Sequence, residues 1–223
     1  MKIAVAGGTG LIGTMIVEAL IAGGDTPIVL ARSAGVDLTT GEGLDATLAG
    51  ASAVIDVSNV TTLRARKSAA FFAAATRTLL SAGQRAGVGH HVVLSIVGID
   101  RVPFGYYLGQ RRQEELALSG PVPATVLRAT QFHEFAGQLL ARGGPAGLLP
   151  DLAGPRAEYL PDMVRRVARA RGSRRLIVPV RVPGAAGRAM AADGLLPAGD
   201  GPRGTRTFSE WLGGRRGQEE SEP

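Results

Sequence analysis

An α/β fold with a doubly wound parallel sheet is predicted for this chain of 223 residues. The first observation is that short apolar runs alternate with segments of helical periodicity through the N-terminal 130 residues. This is the pattern of parallel strands joined by helical crossovers. The second is a glycine-rich turn at residues 7–13, between the first apolar run and the first helical pattern. Strand, glycine turn and helix in this order are typical of a Rossmann-type sheet.

Apolar runs and turn signals place the elements in order. We predict strands at 2–6, 28–30, 36–38 and 53–57, with a helix at 11–22 and a helical turn at 44–48. A long helix at 64–86 follows, then a strand at 91–97, a helix at 106–118 and a strand at 124–128. The run at 91–97 is apolar almost throughout, which is typical of a strand buried on both faces.

The regular alternation fades near residue 143, where Gly-Pro pairs interrupt the chain. We therefore divide the chain into a Rossmann domain at 1–142 and a C-terminal segment at 143–212. The polar, glycine-rich tail at 213–223 is expected to be disordered.

Composition limits the class of protein. Hydrophobic residues make up 45% of the chain, which is typical of a globular protein. No apolar stretch is long enough to span a membrane, and no signal segment precedes the first strand, so we expect no membrane association. The absence of cysteine excludes disulfides and thiolate chemistry, and it fits a cytoplasmic protein.

The net charge of +6 raises the question of nucleic-acid binding. Its densest source is a set of arginines at helical spacing with apolar residues between them: Arg165, Arg166, Arg169, Arg171, Arg174 and Arg175. We interpret them as the solvated face of an amphipathic helix, because no aromatic residues are interleaved to stack on bases. Binding of nucleic acid or another anionic partner is the less favoured alternative.

The glycine-rich turn carries the strongest functional signal. Its residues match G-x-G-x-x-G: Gly8, Thr9, Gly10, Leu11, Ile12 and Gly13, preceded by Gly7. Glycine lets the backbone approach a pyrophosphate closely, and the helix N-terminus behind it offers unpaired N–H groups and a positive dipole end. The motif therefore predicts dinucleotide binding; a purely structural turn is the alternative.

The end of the second strand indicates which dinucleotide binds. A cofactor without a 2′-phosphate is usually held there by Asp or Glu, but this chain has Arg32 and Ser33. A guanidinium can pair with a 2′-phosphate, so we predict NADP, with NADPH preferred over NADH; an ordinary surface arginine is the alternative. Asp37 could accept a hydrogen bond from the adenine amino group or cap the next turn. We also assign Ser58 and Asn59, after the strand at 53–57, to the cofactor site.

Four motifs together resemble the atypical short-chain dehydrogenase/reductases, in particular the NmrA-like NAD(P)-binding group. They are Gly7-Gly8-Thr9-Gly10-Leu11-Ile12-Gly13, Leu94-Ser95-Ile96-Val97-Gly98, Gly105-Tyr106-Tyr107 and Leu127-Arg128-Ala129-Thr130-Gln131-Phe132. The resemblance covers residues 1–140. It implies that Ser95 orients a carbonyl, that Tyr106 donates a proton, and that the residue four positions after Tyr106 lowers the tyrosine pKa.

That last position departs from the family, which has lysine where this chain has Gln110. The only lysines are Lys2 and Lys67, and both precede the tyrosine. Gln110 can bond a ribose hydroxyl but brings no positive charge. Compared with the resembled family, the chain also reaches its apolar Leu148-Leu149-Pro150 segment early, by about one strand-plus-helix unit or on the order of 30 residues. The small C-terminal substrate lobe is therefore expected to be shortened.

Other candidate sites are weaker. Gln131, Phe132 and His133 follow the last predicted strand and are assigned to the substrate side. His90 and His91 are adjacent on a strand and should point to opposite faces, so we predict no metal site. We assign no partners to Asp56 and Asp100.

Two functions from different classes fit these residues. The first is NADPH-dependent reduction of a small apolar carbonyl or quinone-like substrate, since hydride transfer mainly needs a positioned nicotinamide. The alternative is a non-catalytic NADP-binding redox sensor or regulatory protein, with the basic helix serving a macromolecular partner. The sequence leaves the substrate and the oligomeric state open.

Overall fold

The computed structural model describes residues 1–130, 147–148, 150–170, 172–173, 176 and 182–219. In these residues the strands are β1 (Lys2–Ala6), β2 (Thr26–Leu30), β3 (Ala53–Asp56), β4 (His90–Ile96), β5 (Ala124–Ala129) and β6 (Gly147–Leu148). The helices are α1 (Leu11–Ala22), α2 (Leu44–Thr47), α3 (Ala65–Ala86), α4 (Gly105–Leu118), α5 (Leu160–Ala170), α6 (Gly184–Ala191) and α7 (Phe208–Glu219). A 3₁₀ turn spans Arg32–Ala34.

The described strands form one parallel sheet in the order β2-β1-β3-β4-β5-β6. Strand β1 lies inside it, with Val5 opposite Val29 of β2 on one side and Ile55 of β3 on the other. From β1 the chain first adds β2 on one side and then returns to add β3 on the other, so the order of strands reverses between β1 and β3. Doubly wound folds form their binding crevice at this point. The predicted fold class is confirmed.

The strand predicted at 36–38 is wrong. After β2 the chain turns through Arg32–Ala34 and Gly35, whose φ is +75°. Residues 37–42 then form a turn, because the Asp37 carboxylate accepts the N–H groups of Thr39 and Thr40 and the Asp37 N–H donates to the Glu42 carbonyl. These local bonds replace a strand ladder. Strand β2 is therefore the edge of the described sheet.

Apolar cores fill both faces of the sheet. On the α3 face, Ala4, Val54 and Leu79 lie in one buried cluster. On the α1 face, Val5 and Ile16 lie in another. Successive strand residues therefore supply opposite layers, which gives the three-layer arrangement expected of this sheet.

Helix α4 packs with an unusually polar inner side. Its buried residues are Gly109, Gln110, Gln113, Glu114 and Ala117. Gly109 permits close contact with α3, since a Cβ there would lie 2.1 Å from Ser68 Oγ and 2.7 Å from a ring carbon of Phe72. The Ser68 hydroxyl also donates to the Tyr106 carbonyl at 2.8 Å. These contacts fix the start of α4 against α3.

The C-terminal helices α5 and α7 contact each other through Arg166, whose guanidinium lies 4.7 Å from the Phe208 ring centroid. Helix α7 begins with a capping box, in which Thr207 N donates to Glu210 Oε2 at 2.7 Å and Glu210 N donates to Thr207 Oγ1 at 3.3 Å. The helix continues to Glu219. The disordered tail expected at 213–223 stays a prediction.

Candidate functional site

The glycine turn joins β1 to α1 inside the sheet. Gly7 has a φ of +80° and donates its N–H to the Leu30 carbonyl at 3.1 Å, which places the turn beside the end of β2. Gly10 then donates to the Gly7 carbonyl at 2.9 Å. A left-handed φ favours glycine, so Gly7 is required by the turn itself.

Steric contacts explain a second glycine in the motif. A Cβ on Gly13 would lie 2.1 Å from the Gly7 carbonyl oxygen and 2.6 Å from Gly8 Cα. Gly13 therefore allows the first turn of α1 to pack directly on the glycine turn. The sequence motif corresponds here to real close approaches of backbone to backbone.

The N-terminus of α1 is open to an anion. Gly10 is its N-cap, and no side chain caps it. Thr14 N donates to the Gly10 carbonyl at 2.9 Å, so the preceding N–H groups of Leu11, Ile12 and Gly13 have no acceptor within the helix. Uncapped N–H groups beside a glycine turn fit a pyrophosphate group.

Arg32, Ser33 and Asp37 lie together beyond β2. Arg32 and Ser33 are exposed, and the Arg32 guanidinium has no hydrogen bond or ion pair to any residue that the structure describes. The Thr39 hydroxyl and N–H, with the Thr40 N–H and the Arg32 charge, hold the Asp37 pKa below its usual value although burial opposes them. Asp37 Oδ1 accepts hydrogen bonds from Thr39 at 2.6–2.7 Å, as a capping residue does, and its contact with adenine stays a prediction.

The loop after β3 lies against the glycine turn. A Cβ on Gly7 would lie 2.9 Å from the Val57 carbonyl. Ser58 is buried, and its N–H donates to Asp56 Oδ1 at 2.9 Å. Asn59 is exposed, and its Oδ1 accepts the Tyr106 hydroxyl at 2.7 Å. Asn59, assigned from the sequence to the cofactor, thus also contacts the proposed proton donor.

Tyr106 and Gln110 face each other across one turn of α4. Gln110 Nε2 donates to the Tyr106 phenolic oxygen at 2.9 Å, and only 5% of Gln110 is exposed. Burial raises the pKa of Tyr106 above its usual value, and the Gln110 hydrogen bond only partly opposes this. A phenol without a cationic neighbour stays protonated at neutral pH.

Ser95 lies outside this hydrogen-bonded group. It is 1% exposed on β4, opposite Arg128 of β5, and its hydroxyl has no partner among the residues described. The resemblance predicts Ser95, Tyr106 and Gln110 as one set; the structure joins the last two by a hydrogen bond, and a role for Ser95 stays a prediction. Gln131, Phe132 and His133 fall outside the described residues.

Asp56 and Asp100 both have partners, which corrects the expectation from sequence. Asp56 is fully buried and accepts Gln113 Nε2 at 2.8 Å as well as the Ser58 N–H. Asp100 lies 3.2 Å from Arg128, whose guanidinium also makes two bonds to Glu114, at 2.9 and 2.6 Å. These contacts join residues far apart in sequence, so spacing could not reveal them. A carboxylate ending a buried strand, as Asp56 does, was the available signal.

The two adjacent histidines have different surroundings. His90 Nε2 is 2.8 Å from the Thr125 hydroxyl, whereas His91 is buried on the next position of the strand. Within the described part of the chain, no three His, Asp or Glu side chains are grouped to bind a metal.

A row of aromatic rings leads to Tyr106. Consecutive centroid distances are 5.2 Å for Phe71–Phe72, 5.8 Å for Phe72–Tyr106, 6.0 Å for Tyr106–Tyr107 and 5.4 Å for Tyr107–Phe104. All four pairs meet edge to face, which is a favourable geometry. Phe104, Tyr106 and Tyr107 are half-buried, so the phenol lies in an apolar, aromatic wall.

Two of the three described arginines of α5 pair with carboxylates. Arg165 bonds Asp162 at 2.6 Å, and Arg166 pairs with Glu158 at 3.3 Å. These pairs are consistent with a solvated helix face, and the nucleic-acid alternative stays a prediction; Arg171, Arg174 and Arg175 are outside the described residues. No helix in the described part of the chain is both long and apolar enough to cross a membrane.

Comparison with known proteins identifies the fold. No family model matches the chain, and no curated protein sequence matches it. Among solved structures, UDP-N-acetylglucosamine 4-epimerase from Bacillus cereus superposes with a TM-score of 0.70 at 16% identity, covering 99% of this chain and 100% of that one. A short-chain dehydrogenase/reductase superfamily protein from Agrobacterium tumefaciens with bound NAD gives 0.65 at 17% identity, covering 99% and 97%. The chain has the fold of the short-chain dehydrogenase/reductases.

A third structure shares this short-chain dehydrogenase/reductase fold. It is an NADPH-dependent quinone oxidoreductase from Escherichia coli complexed with NADPH, with a TM-score of 0.67 at 17% identity, covering 96% of this chain and 99% of that one. At these identities the likeness establishes the fold of the chain, and the glycine turn described above stands where such folds bind their dinucleotide.

Proposed function

We propose that the protein is an NAD(P)H-dependent oxidoreductase that prefers NADPH and reduces a small apolar carbonyl or quinone-like substrate. One observation carries the proposal: the protonated Tyr106 hydroxyl, bonded by Gln110 and Asn59, is linked through the loop after β3 to an uncapped glycine turn. Such a reaction needs a proton donor and a bound dinucleotide, and here the donor and the glycine turn lie at the same end of the sheet, where the strands have their carboxyl ends.

The glycine turn and the loop beyond β2 would hold the cofactor. The free N–H groups of Leu11, Ile12 and Gly13 would bind the pyrophosphate, with Thr9 at the exposed tip of the turn. The unpaired Arg32 guanidinium, with the Ser33 hydroxyl, would bind a 2′-phosphate. When bound, the nicotinamide supplies the hydride.

Tyr106 would deliver the proton. Its hydroxyl donates to Asn59 in this structure and would donate to the substrate oxygen during reduction, while Gln110 donates to the phenolic oxygen and stabilises the charge that develops there. A neutral amide stabilises this charge less than an ammonium group does, so we expect a weaker acid than in a reductase with lysine at this position.

The aromatic wall supports an apolar, planar substrate. Phe104 and Tyr107 are half-buried beside Tyr106, and an aromatic or quinonoid ring would pack favourably on their edges. Likeness in fold to an NADPH-dependent quinone oxidoreductase agrees with this choice. We further propose that Gln131, Phe132 and His133, near the end of the Rossmann domain at 1–142, line the substrate side together with the C-terminal segment at 143–212, and that the protein acts in the cytoplasm.

A second candidate is a non-catalytic NADP-binding sensor of the NmrA-like kind. The observation that favours it is Gln110, which supplies no charge to a tyrosine whose pKa burial has raised. Such a protein would bind NADPH through the same turn and the same Arg32 without turning it over.

One experiment separates the two candidates. Purified protein is titrated with NADPH and NADH by nucleotide fluorescence, and NADPH oxidation is then followed with a panel of quinones and aldehydes. The reductase proposal expects tighter binding of NADPH and turnover that falls in Tyr106→Phe without a change in NADPH affinity. Tight NADPH binding with no turnover on the panel would favour the sensor, and failure to bind either nucleotide would contradict both.

A further inference from the structure

Two hydrogen bonds join the end of β3 and the loop that follows it to α4. One is the bond from the Tyr106 hydroxyl to Asn59 Oδ1, at 2.7 Å. The other runs deeper, from Gln113 Nε2 to Asp56 Oδ2 at 2.8 Å. Asp56 and Gln113 are 0% and 1% exposed, so this second link is shielded from water while the first reaches the surface.

The two links are connected at both ends. At the end of β3, Asp56 Oδ1 accepts the N–H of Ser58 in the loop at 2.9 Å, and Asn59 follows Ser58 directly. On the helix, Gln113 follows Gln110 by three residues, and Gln110 Nε2 bonds the same phenolic oxygen at 2.9 Å. The contacts therefore close a ring from Asp56 through Asn59, Tyr106 and Gln110 to Gln113.

Buried polar pairs of this kind contribute little net stability. Replacing both partners by apolar groups of similar shape is often neutral or stabilising. What a directional pair provides is a defined position of one element relative to another. Here the elements are the loop that carries Asn59 and the helix that carries Tyr106.

We propose that Asp56 and Gln113 form a positioning pair, which holds the Asn59 carbonyl at the Tyr106 hydroxyl. The consequence for turnover rests on the reductase function proposed above, whereas the consequence for the phenol does not. Asn59 accepts a hydrogen bond only from the protonated phenol, so its contact opposes ionisation of Tyr106. Weakening the positioning pair should therefore make Tyr106 easier to ionise, and it should do so through Asn59.

The test is a double-mutant cycle on the full chain. Gln113→Met removes the amide without changing charge, and Asn59→Ala removes the carbonyl. Ionisation of the phenol is followed by ultraviolet absorbance in an alkaline titration, and each variant is repeated with Tyr106→Phe to subtract Tyr107 and Tyr159. We expect each single variant to lower the pKa of Tyr106, and the double variant to lower it no further than Asn59→Ala alone.

The cycle separates positioning from general loosening. If Gln113→Met lowers the Tyr106 pKa as much in the Asn59→Ala background as in the wild type, the pair acts by loosening α4 and the proposal is overturned. No change in Gln113→Met would overturn it as well. Leu79→Ala, in the apolar core on α3, is the control for lost stability and should leave the Tyr106 titration unchanged.

An exchange of donor and acceptor provides an independent check. Gln113→Glu sets two carboxylates against each other and should break the pair, whereas adding Asp56→Asn restores one donor and one acceptor at the wild-type charge. We expect Gln113→Glu to change the pKa of Tyr106 and the double variant to return it to the wild-type value. If the double variant does not, the proposed positioning pair is contradicted. If the wild type oxidises NADPH, the dependence of kcat on pH should shift in Gln113→Glu and return to that of the wild type when Asp56→Asn is added, at unchanged KM for NADPH. Absence of turnover would count against the reductase function and leave the titration result standing.

Discussion

The Nε2 atom of Gln110 lies 2.9 Å from the phenolic oxygen of Tyr106, where the resembled family has a lysine. The amide donates a hydrogen bond to the phenol but carries no positive charge. Since burial raises the Tyr106 pKa, the site holds a neutral phenol. The acid strength of the Tyr106 hydroxyl therefore depends on which residue stands at position 110.

Restoring the lysine should change the acid. Gln110→Lys places an ammonium group one helical turn from Tyr106, which lowers the tyrosine pKa. We expect higher NADPH-dependent turnover or a lower pH optimum, measured as kcat against pH. Gln110→Met is the uncharged control and should show neither gain.

Tyr106→Phe tests the same pair from the other side. Turnover lost in this variant should not return when Gln110→Lys is added, because the lysine acts through the hydroxyl. Recovery in the double variant would show that a group other than Tyr106 supplies the proton.

Arg32 should distinguish the two dinucleotides. Arg32→Asp replaces a phosphate partner by a like charge, and loss of a charge-assisted pair costs about 1.5–3 kcal/mol, or roughly tenfold to a hundredfold in affinity. In fluorescence titrations the affinity for NADPH should fall by this factor, and the affinity for NADH should fall much less. Equal losses for both nucleotides would mean that Arg32 does not contact the 2′-phosphate.

Gly13 should tolerate no side chain. The added methyl of Gly13→Ala would lie 2.1 Å from the Gly7 carbonyl oxygen, so the helix must move away from the turn. We expect loss of measurable NADPH binding and a lower midpoint of unfolding. Gly23→Ala, at the other end of α1, meets its first neighbour at 3.4 Å and is the matched control, expected to bind as the wild type does.

Arg128 should be worth more to stability than a surface arginine. Arg128→Met leaves the Glu114 carboxylate, 8% exposed, without its cation, and breaking such a buried pair costs about 3–5 kcal/mol. Arg85→Met removes a surface pair with Asp45, whose side chains are 56% and 66% exposed, and should cost about 1 kcal/mol or less. Urea unfolding measures both, and equal costs would contradict the distinction.

His91 should make stability depend on pH. Burial lowers its pKa below 6.5, although the Asp56 charge opposes this, so below that pH the unfolded chain binds a proton that the folded chain does not. The free energy of unfolding should be highest above about pH 6.5 and fall as the pH drops towards 5. His91→Gln should flatten this dependence in urea unfolding at several pH values; an unchanged slope would assign it to other groups.

Local sequence predicted most of the fold because its signals act over a few residues. The apolar alternation at β1, β3 and β4 and the glycine turn at 7–13 each depend on neighbouring residues, and they led to the right sheet. The strand at 36–38 failed for a local reason as well: the Asp37 side chain competes for backbone N–H groups with the ladder that an apolar pattern suggests.

The residues of the candidate site also separate into those that the sequence predicts and contacts that only the structure reveals. The sequence by itself determined the glycine turn, the exposed Arg32 after β2 and the replacement of lysine by Gln110, since each is a matter of residue type at a given spacing. Only the tertiary structure decided that Asn59 meets Tyr106, that Gln113 meets Asp56 and that Arg128 meets Glu114. The last two pairs are 57 and 14 residues apart and meet because parallel crossovers return α4 to the sheet, which residue spacing alone does not record.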